Sequence, residues 1–280
     1  MNHRDPLQQL ESGPIFIVGA ARSGTTWVYD ILTSLAEVAG VYESWLFTRD
    51  LGVGAFFGPA HWSAGRSGLG HSFDRRAFVE QVRCFVSTVL ALKLEPHHRF
   101  LVEKSPSHIF TMPLIREILP TARFIHVLRD GRDVSVSVRQ AARSWILQWQ
   151  RTFGRSIYAS GCAWKAAVHR ARSDASLLGG AFLEVRYEDL KGQPLSTCAR
   201  LFDFCQIPVD RGIVEKVIAA TDFDINYRPS EAGFRRGGRV GDWKSHFSLV
   251  DALMFNVAAG DALIETGYEA NRRWLPGLGH

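Results

Sequence analysis

The segment best suited to bind an anion is GAARSGTTW, which starts at Gly19. Gly19 and Gly24 have the spacing of the phosphate-binding pattern G-x-x-x-x-G-K-[ST], and Thr26 stands at its Ser/Thr position. Thr25, however, occupies the place of the lysine that reaches the β and γ phosphates of a bound nucleotide. Arg22 instead puts a guanidinium, with its fixed fork of N–H donors, inside the turn. The segment therefore predicts a phosphate site and disfavours an ATPase or a kinase.

Two further segments carry residue types suited to anions. RDGRDVSVS places Arg129 at the end of a predicted strand and Ser137 eight residues later, on the following helix. Open α/β folds bind ligands at the carboxyl ends of their strands, where Arg129 would lie. RRGGRVGDWK, residues 235–244, is a basic and glycine-rich stretch near the C-terminus. By itself, RDGRD could also be a solvated turn held by salt bridges.

Alternating strand and helix patterns must position these segments. An apolar run ends at Gly19, and a helical pattern follows it as far as Gly40. Repeated β-α units predict an α/β fold of the P-loop type, with three layers and a central, mainly parallel sheet flanked by helices. The patterns predict strands at residues 14–20, 99–106, 122–130 and 181–190, and helices at residues 25–40, 74–94, 108–120, 133–145, 195–207 and 211–220.

The chain of 280 residues, 1–280, is predicted to form a single domain, because no repeat, low-complexity tract or Pro/Gly linker divides it. Residues 1–13 are expected to be a flexible N-terminus. Residues 45–71 are rich in Gly, Trp and Phe and show no clear period, which predicts a long functional loop, a candidate lid over a substrate. Its aromatic content favours an acceptor with a sizeable apolar or ring portion.

Composition restricts the class of protein. No stretch approaches the roughly 18 apolar residues of a membrane helix, and the N-terminus has no signal-peptide pattern, so the expected location is the cytoplasm. The four cysteines form no C-x-x-C pair and no zinc-type spacing, which predicts free thiols and no metal site. The net charge of +5 suits a single anionic ligand better than a nucleic-acid track.

Three segments, in order along the chain, resemble motifs of the PAPS-dependent sulfotransferases. RSGTTW is similar to the loop that binds the 5′-phosphosulfate, RDGRDVSVS to the 3′-phosphate motif, and RRGGRVGDWK to the C-terminal segment that ends in G-D-W-K. Gly237 replaces the usual lysine of the third motif, and Arg235 is a candidate substitute. The matches extend from about residue 15 to residue 244. They combine features of the cytosolic branch with features of the tyrosylprotein and heparan-type branches.

The resemblance implies 3′-phosphoadenosine 5′-phosphosulfate (PAPS) as co-substrate, adenosine 3′,5′-bisphosphate (PAP) as product, and no metal. Without it, Trp27, Tyr187 and Phe223 would be interpreted as ordinary core aromatics. The residues implied to bind PAPS are Arg22, Ser23, Gly24, Thr25, Thr26, Trp27, Arg129, Ser137, Tyr187, Thr221, Phe223, Arg235, Arg236 and Gly238.

Two residues are candidates for the general base that takes the proton of an acceptor hydroxyl. Glu43 lies 21 residues after Arg22, and the tyrosylprotein and heparan-type sulfotransferases carry a catalytic glutamate at about this distance. His108 lies near the K-x-H base of the cytosolic branch, but that spacing falls on Pro106. We therefore favour Glu43 as the base, with Lys104 as the cation at the sulfuryl group or the bridging oxygen.

The sequence thus predicts an enzyme that transfers a sulfonate in line from PAPS to a hydroxyl of a small-molecule or carbohydrate acceptor. The alternatives are an atypical P-loop nucleotide kinase or NTPase, and a nucleic-acid-binding protein that uses its basic residues. The wide separation of Arg22, Arg129 and Arg236 along the chain disfavours a nucleic-acid partner. No membrane span is predicted. The sequence is compatible with a homodimer but identifies neither the acceptor, the oligomeric state nor the pathway.

Overall fold

The computed structural model describes residues 7, 10–63, 67–154, 156–222 and 238–275. In these residues a single sheet contains only parallel pairs, in the order β2-β3-β1-β4-β5. Because β1 lies between β3 and β4, the loop that follows β1 lies where the strand order reverses, which is the usual ligand site of such sheets. The strands are β1 (Ile15–Gly19), β2 (Val38–Tyr42), β3 (Phe100–Lys104), β4 (Arg123–Leu128) and β5 (Phe182–Arg186).

Helices connect the strands and cover the sheet. They are α1 (Thr25–Thr33), α2 (Pro59–Trp62), α3 (Leu69–Ser72), α4 (Arg75–Ala91), α5 (Met112–Ile118), α6 (Gly131–Ser144), α7 (Gln150–Phe153), α8 (Ile157–Leu178), α9 (Tyr187–Gly192), α10 (Pro194–Cys205), α11 (Arg211–Ala220) and α12 (Leu249–Glu265). Short 3-10 segments lie at Val53–Phe57, Pro106–Phe110, Leu147–Trp149, Gly179–Ala181 and Asp242–Ser245.

Alternation along β1 produces the layers of the fold. Ile15 and Ile17 pack with α1, α10 and α11 on one face, while Phe16 and Val18 pack with α4, α5 and α8 on the other. All four side chains are fully buried, and burying an aliphatic or aromatic side chain contributes roughly 1.5–3 kcal/mol. The predicted α/β fold, with a parallel sheet between helical layers, is confirmed.

The single helix predicted as far as Gly40 is wrong, because this segment forms a helix and then a strand. α1 ends at Thr33, and the chain turns with a hydrogen bond from the Val38 N–H to the Leu35 carbonyl (3.0 Å). β2 then pairs with β3 along its whole length. Pairing in the sheet therefore outweighs the helical spacing of the apolar residues in this short segment.

The sequence patterns did not reveal α8 and α12, which pack against each other. Trp164 of α8 contacts Phe255 of α12 with ring centres 6.0 Å apart, and both belong to one buried cluster. α8 is rich in alanine and serine and has few large apolar side chains, so apolar periodicity is weak there.

Among helices of the described ranges, none combines the length and the apolar character that a membrane crossing requires.

Candidate active site

A cavity of about 600 Å³ lies at the carboxyl edge of the sheet. It has two halves with different chemistry. The phosphate-loop half is lined by Ala21, Arg22, Gly24, Thr25, Thr26, Trp27, Arg129, Asp133, Ser137, Tyr187, Gly238, Arg239 and Asp242. The aromatic half is lined by Tyr42, Glu43, Trp45, Pro106, Ser107, Trp145, Ile146, Gln148 and Trp149.

Two glycines shape the loop between β1 and α1. Gly24, immediately before α1, has a φ of 101°, and a Cβ there would lie 2.5 Å from the ring of Tyr187. Both its backbone conformation and this close approach therefore require glycine. At Gly19, a Cβ would lie 2.8 Å from Ser23 Oγ. The loop thus fits closely against its neighbours and leads into the N-terminus of α1, where backbone N–H groups favour an anion.

Two buried polar atoms at or beside this half have no hydrogen-bond partner in the described part of the chain. They are Arg129 Nε, directly after β4, and Ser23 Oγ, in the loop between the cavity-lining Arg22 and Gly24. A buried polar group without a partner costs roughly 1–3 kcal/mol, so both atoms fit an anionic ligand that would accept from them. Thr25, at the position of the P-loop lysine, is buried and supplies no cation.

The phosphate loop and the RDGRDVSVS motif contact each other, although they are far apart in sequence. Arg22 Nε donates to Ser137 Oγ (3.2 Å). Arg129 donates to the carbonyl oxygens of Arg22 (3.4 Å) and Arg239 (3.1 Å), and its guanidinium lies 4.3 Å from the centre of the Tyr187 ring. Two guanidinium groups therefore face the same half of the cavity.

Asp133 fastens the C-terminal segment to this half. Its carboxylate accepts from the backbone N–H groups of Gly241 (2.8 Å) and Trp243 (2.9 Å). Burial raises the pKa of Asp133 above its ordinary value, although the charge of Arg129 and the two N–H groups act in the opposite direction. The start of the G-D-W-K sequence is thus bound to the first turn of α6.

Trp27 and Thr221 lie together at the edge of the phosphate-loop half. The Trp27 indole N–H donates to the Thr221 carbonyl (2.8 Å), and its ring packs edge-on against Tyr187 at 5.6 Å. A small cavity of about 80 Å³ is lined by both residues. The remaining predicted residues, Phe223, Arg235 and Arg236, lie outside the described residues.

In the aromatic half, Glu43 and Lys104 form an ion pair. Lys104 Nζ lies 2.6 Å from Glu43 Oε1 and 3.6 Å from the centre of the Tyr42 ring. The Lys104 side chain is 1% exposed, whereas that of Glu43 is 37% exposed and lines the cavity. The pairing of β2 with β3 explains the contact, because Tyr42 lies opposite Lys104 in the sheet.

His108 does not line this cavity. It is fully buried, with Nδ1 3.0 Å from Glu103 Oε2, and its Nε2 accepts from the Phe47 N–H (3.2 Å). Burial acts to raise the pKa of Glu103, but the contact with His108 and the hydrogen bonds from His108, Ser105 and Ser44 lower it overall. His108 is therefore occupied on both ring nitrogens by protein groups.

A model described as "Sulfotransferase family" matches residues 14–211, from the residue before β1 to the first residue of α11. The chain belongs to the sulfotransferase family. The resemblance drawn from RSGTTW and RDGRDVSVS is thereby confirmed at the level of the family.

The relatives of this chain have diverged widely. Sulfotransferase 2A6 of Rattus norvegicus is 24% identical over 179 residues, which cover 56% of the chain and 61% of the rat protein. A putative protein-tyrosine sulfotransferase of Caenorhabditis briggsae is 24% identical over 200 residues, which cover 69% of the chain and 65% of that protein. The chain thus spans less than two thirds of the length of either relative.

The fold of this chain is shared with solved structures. Mouse sulfotransferase SULT7A1, solved in complex with PAP, superposes with a TM-score of 0.58 at 16% identity. The match covers 94% of the chain and 92% of the mouse structure. At this identity, the likeness concerns the arrangement of helices and strands.

Sequence reasoning missed part of the aromatic half of the cavity. Trp145, Ile146, Gln148 and Trp149 line it from the stretch between α6 and α7. The guanidinium of Arg22 lies 5.6 Å from the centre of the Trp145 ring, so this stretch also borders the phosphate loop. The available signal was a pair of tryptophans, Trp145 at the end of the predicted helix and Trp149 four residues later.

The candidate lid, residues 45–71, contributes little to the cavity. Among its described residues, Trp45 alone lines the cavity. Phe47 packs against Phe16 in the core at 5.6 Å between ring centres, whereas Phe57 and Trp62 pack against Phe78 of α4 at 5.8 and 5.4 Å, as does Phe56. Most of this aromatic content therefore joins the segment to α4.

Proposed function

We propose that this sulfotransferase moves a sulfonate group from PAPS to a hydroxyl of a small-molecule or carbohydrate acceptor. One observation carries the proposal: a single cavity joins a cationic half, which contains buried donors without partners, to the Lys104–Glu43 ion pair. A site for an anionic co-substrate and a carboxylate suited to accept a proton therefore border the same space.

The residues of the phosphate-loop half fit an anionic nucleotide. Ser23 Oγ and Arg129 Nε are buried donors that lack acceptors in the described chain, and Arg22 supplies a guanidinium from inside the turn, since Thr25 stands at the lysine position of other P-loops. We assign the 5′-phosphosulfate to the loop that contains Arg22, and the 3′-phosphate to Arg129 and Ser137. When bound, PAPS supplies the sulfonate and leaves as PAP.

In the aromatic half, we assign proton transfer to Glu43. Its carboxylate is partly exposed at the cavity, within reach of an acceptor hydroxyl, whereas His108 is buried with both ring nitrogens bonded. Lys104 holds Glu43 Oε1 at 2.6 Å and orients it. The same buried ammonium places a fixed positive charge beside this carboxylate, and such fixed charges stabilise transition states in water-poor sites.

The aromatic wall supports an acceptor that carries a ring. Trp45, Trp145 and Trp149 line the half of the cavity that contains Glu43. Tryptophan side chains offer large, flat surfaces that bind aromatic rings or the apolar faces of sugars. We therefore expect the hydroxyl that receives the sulfonate to belong to a ring-bearing alcohol, phenol or glycoside.

The test combines binding with turnover. PAP alone, without metal, should raise the Tm of the protein, and mass spectrometry of a panel of alcohols, phenols and glycosides incubated with PAPS should identify a sulfated product. Glu43→Gln should lower kcat by roughly 100-fold or more and leave the PAP-induced Tm shift in place, because Glu43 lies in the other half of the cavity. Glu95→Gln, an exposed glutamate outside the cavity, is the matched control.

Two results would contradict the proposal. A Tm shift with ATP and Mg²⁺ but none with PAP would favour a nucleotide kinase. Normal turnover of Glu43→Gln would remove Glu43 from proton transfer.

A further inference from the structure

The turn formed by residues 43–47 has an unusual backbone. Glu43 and Trp45 have φ values of 47° and 51°, in the left-handed region that residues with a side chain seldom adopt. Such conformations persist only where the surrounding structure imposes them. Both residues line the aromatic half of the cavity. The contacts that hold this backbone conformation therefore also set the direction of the Glu43 side chain.

A buried carboxylate lies directly under the turn. Glu103 Oε1 accepts from the backbone N–H (3.3 Å) and the hydroxyl (2.7 Å) of Ser44, and from the hydroxyl of Ser105 (2.6 Å). The Ser105 oxygen in turn accepts from the Trp45 N–H (3.3 Å). Ser44, although exposed, therefore directs its hydroxyl and its N–H to Glu103, while the residues on either side of it line the cavity.

His108 completes this contact and fixes its direction. Because Nε2 accepts from the Phe47 N–H, that nitrogen carries no proton, and the ring proton lies on Nδ1 and is donated to Glu103 Oε2. Every hydrogen bond to Glu103 thus runs from a donor to the carboxylate. All hydrogen-bonding neighbours of residue 103 are donors, so its side chain must accept. A glutamine would turn one acceptor oxygen into an NH₂ group, whose two hydrogens would face these donors.

We propose that Glu103, Ser105 and His108 form a positioning cluster that holds the turn of residues 43–47 in its left-handed conformation and thereby sets the Glu43 carboxylate at the cavity. The cluster acts through backbone groups: it supplies acceptors for the N–H groups of Ser44, Trp45 and Phe47. His108 is accordingly a positioning residue. This inference rests on the proposed role of Glu43.

A second histidine–carboxylate pair, in which the histidine is buried and the carboxylate is partly exposed, provides a control. His126 Nδ1 lies 3.0 Å from Glu184 Oε2, and the two residues face each other across β4 and β5. Neither residue lines the cavity. If both histidine–carboxylate pairs matter only for stability, loss of the His108–Glu103 pair should affect activity as little as loss of the His126–Glu184 pair.

The experiment compares Glu103→Gln with Glu184→Gln in the full chain. For Glu103→Gln we expect kcat to fall roughly 10- to 100-fold, because small displacements of a catalytic group have effects of this size, while PAP affinity changes less than about twofold. Amide hydrogen exchange in residues 44–47 should become at least about tenfold faster. Glu184→Gln should lower the Tm but leave kcat and the exchange of these amides unchanged.

The outcomes separate the inference from the proposed function. If Glu103→Gln keeps its kcat, or loses it only in proportion to a Tm loss that Glu184→Gln reproduces, the positioning role is refuted. If the wild-type protein transfers no sulfonate, or Glu43→Gln remains fully active, the proposed function fails. Hydrogen exchange still decides the structural claim in that case: unchanged exchange in Glu103→Gln overturns it, and faster exchange supports it.

Discussion

The two halves of the cavity are built in different ways. The phosphate-loop half is centred on one continuous strand-loop-helix segment, with Gly24 in a left-handed conformation immediately before α1. The aromatic half has no such centre and is assembled from three separate stretches, residues 42–45, 106–107 and 145–149. A short sequence can therefore specify the centre of the first half, although residues 129–137, Tyr187 and residues 238–242 complete its walls, whereas the second half exists only once β2, β3 and α6 have come together.

The backbones of the two halves differ less. The phosphate loop has a positive φ at Gly24, where a Cβ would meet the Tyr187 ring, and also at Arg22 (72°), whose side chain lines the cavity. The aromatic half has a positive φ at Glu43 and Trp45, whose side chains line the cavity as well. Both halves therefore accept local strain in order to present side chains, and the phosphate loop in addition brings a glycine backbone close to its neighbour.

The largest effect should come from adding one methyl group to the phosphate loop. In Gly24→Ala, the new Cβ would lie 2.5 Å from the Tyr187 ring at a φ of 101°, so the loop must move. We expect PAP binding to weaken by roughly 100-fold or more, measured by calorimetry. Gly192→Ala, where a Cβ meets nothing within 4 Å, is the control and should bind PAP normally. Equal affinities for the two variants would break the contrast between the halves.

An intermediate effect should follow from removing one aromatic side chain. Trp45→Ala should raise the KM for a ring-bearing acceptor about tenfold, because the lost ring surface contributes only to acceptor contact. The Kd for PAP should stay within about twofold. The control is Trp62→Ala, whose ring packs on α4 outside the cavity and whose loss should lower the Tm alone. A weakened PAP affinity in Trp45→Ala would show that the halves are coupled.

The smallest effect should be a change in stability at acidic pH. Burial opposes ionisation of Glu103, yet His108 and the hydrogen bonds hold its pKa below the ordinary 4.5. The stability that this carboxylate adds is therefore complete above pH 4.5 and is lost as the pH falls towards the lower pKa of the folded state. The Tm difference between the wild type and Glu103→Gln should shrink below that pH. A constant difference down to about pH 3 would contradict this sign.

Much of the fold was predictable from the sequence because most strands are apolar runs followed by recognisable turns. β1, β3, β4 and β5 lie within the predicted strands. β2 was not predicted, because Val38–Tyr42 follows α1 after a very short turn and continues the apolar spacing of that helix. α8 was missed for the opposite reason, because alanine and serine fill much of its surface and leave a weak pattern.

The site was predictable in proportion to how local its contacts are. The residues of the phosphate loop follow from one motif, and the contact between Arg22 and Ser137 is consistent with the two motifs sharing a ligand. The Lys104–Glu43 pair depends on strand register, and sequence spacing could suggest each residue but not their 2.6 Å contact. His108 points inward because it is hydrogen-bonded to Glu103. No pattern in a single sequence predicts that this glutamate is buried.

The bond between Asp133 and the segment around Gly241 has a consequence for biosynthesis. A ribosome makes the phosphate loop early and the residues from Gly238 to Trp243 late, yet these late residues line or close the same cavity. A nascent chain, or one cut before Gly238, would contain the whole parallel sheet but lack one wall of the nucleotide site. Binding of PAP would therefore distinguish completed molecules from truncated ones.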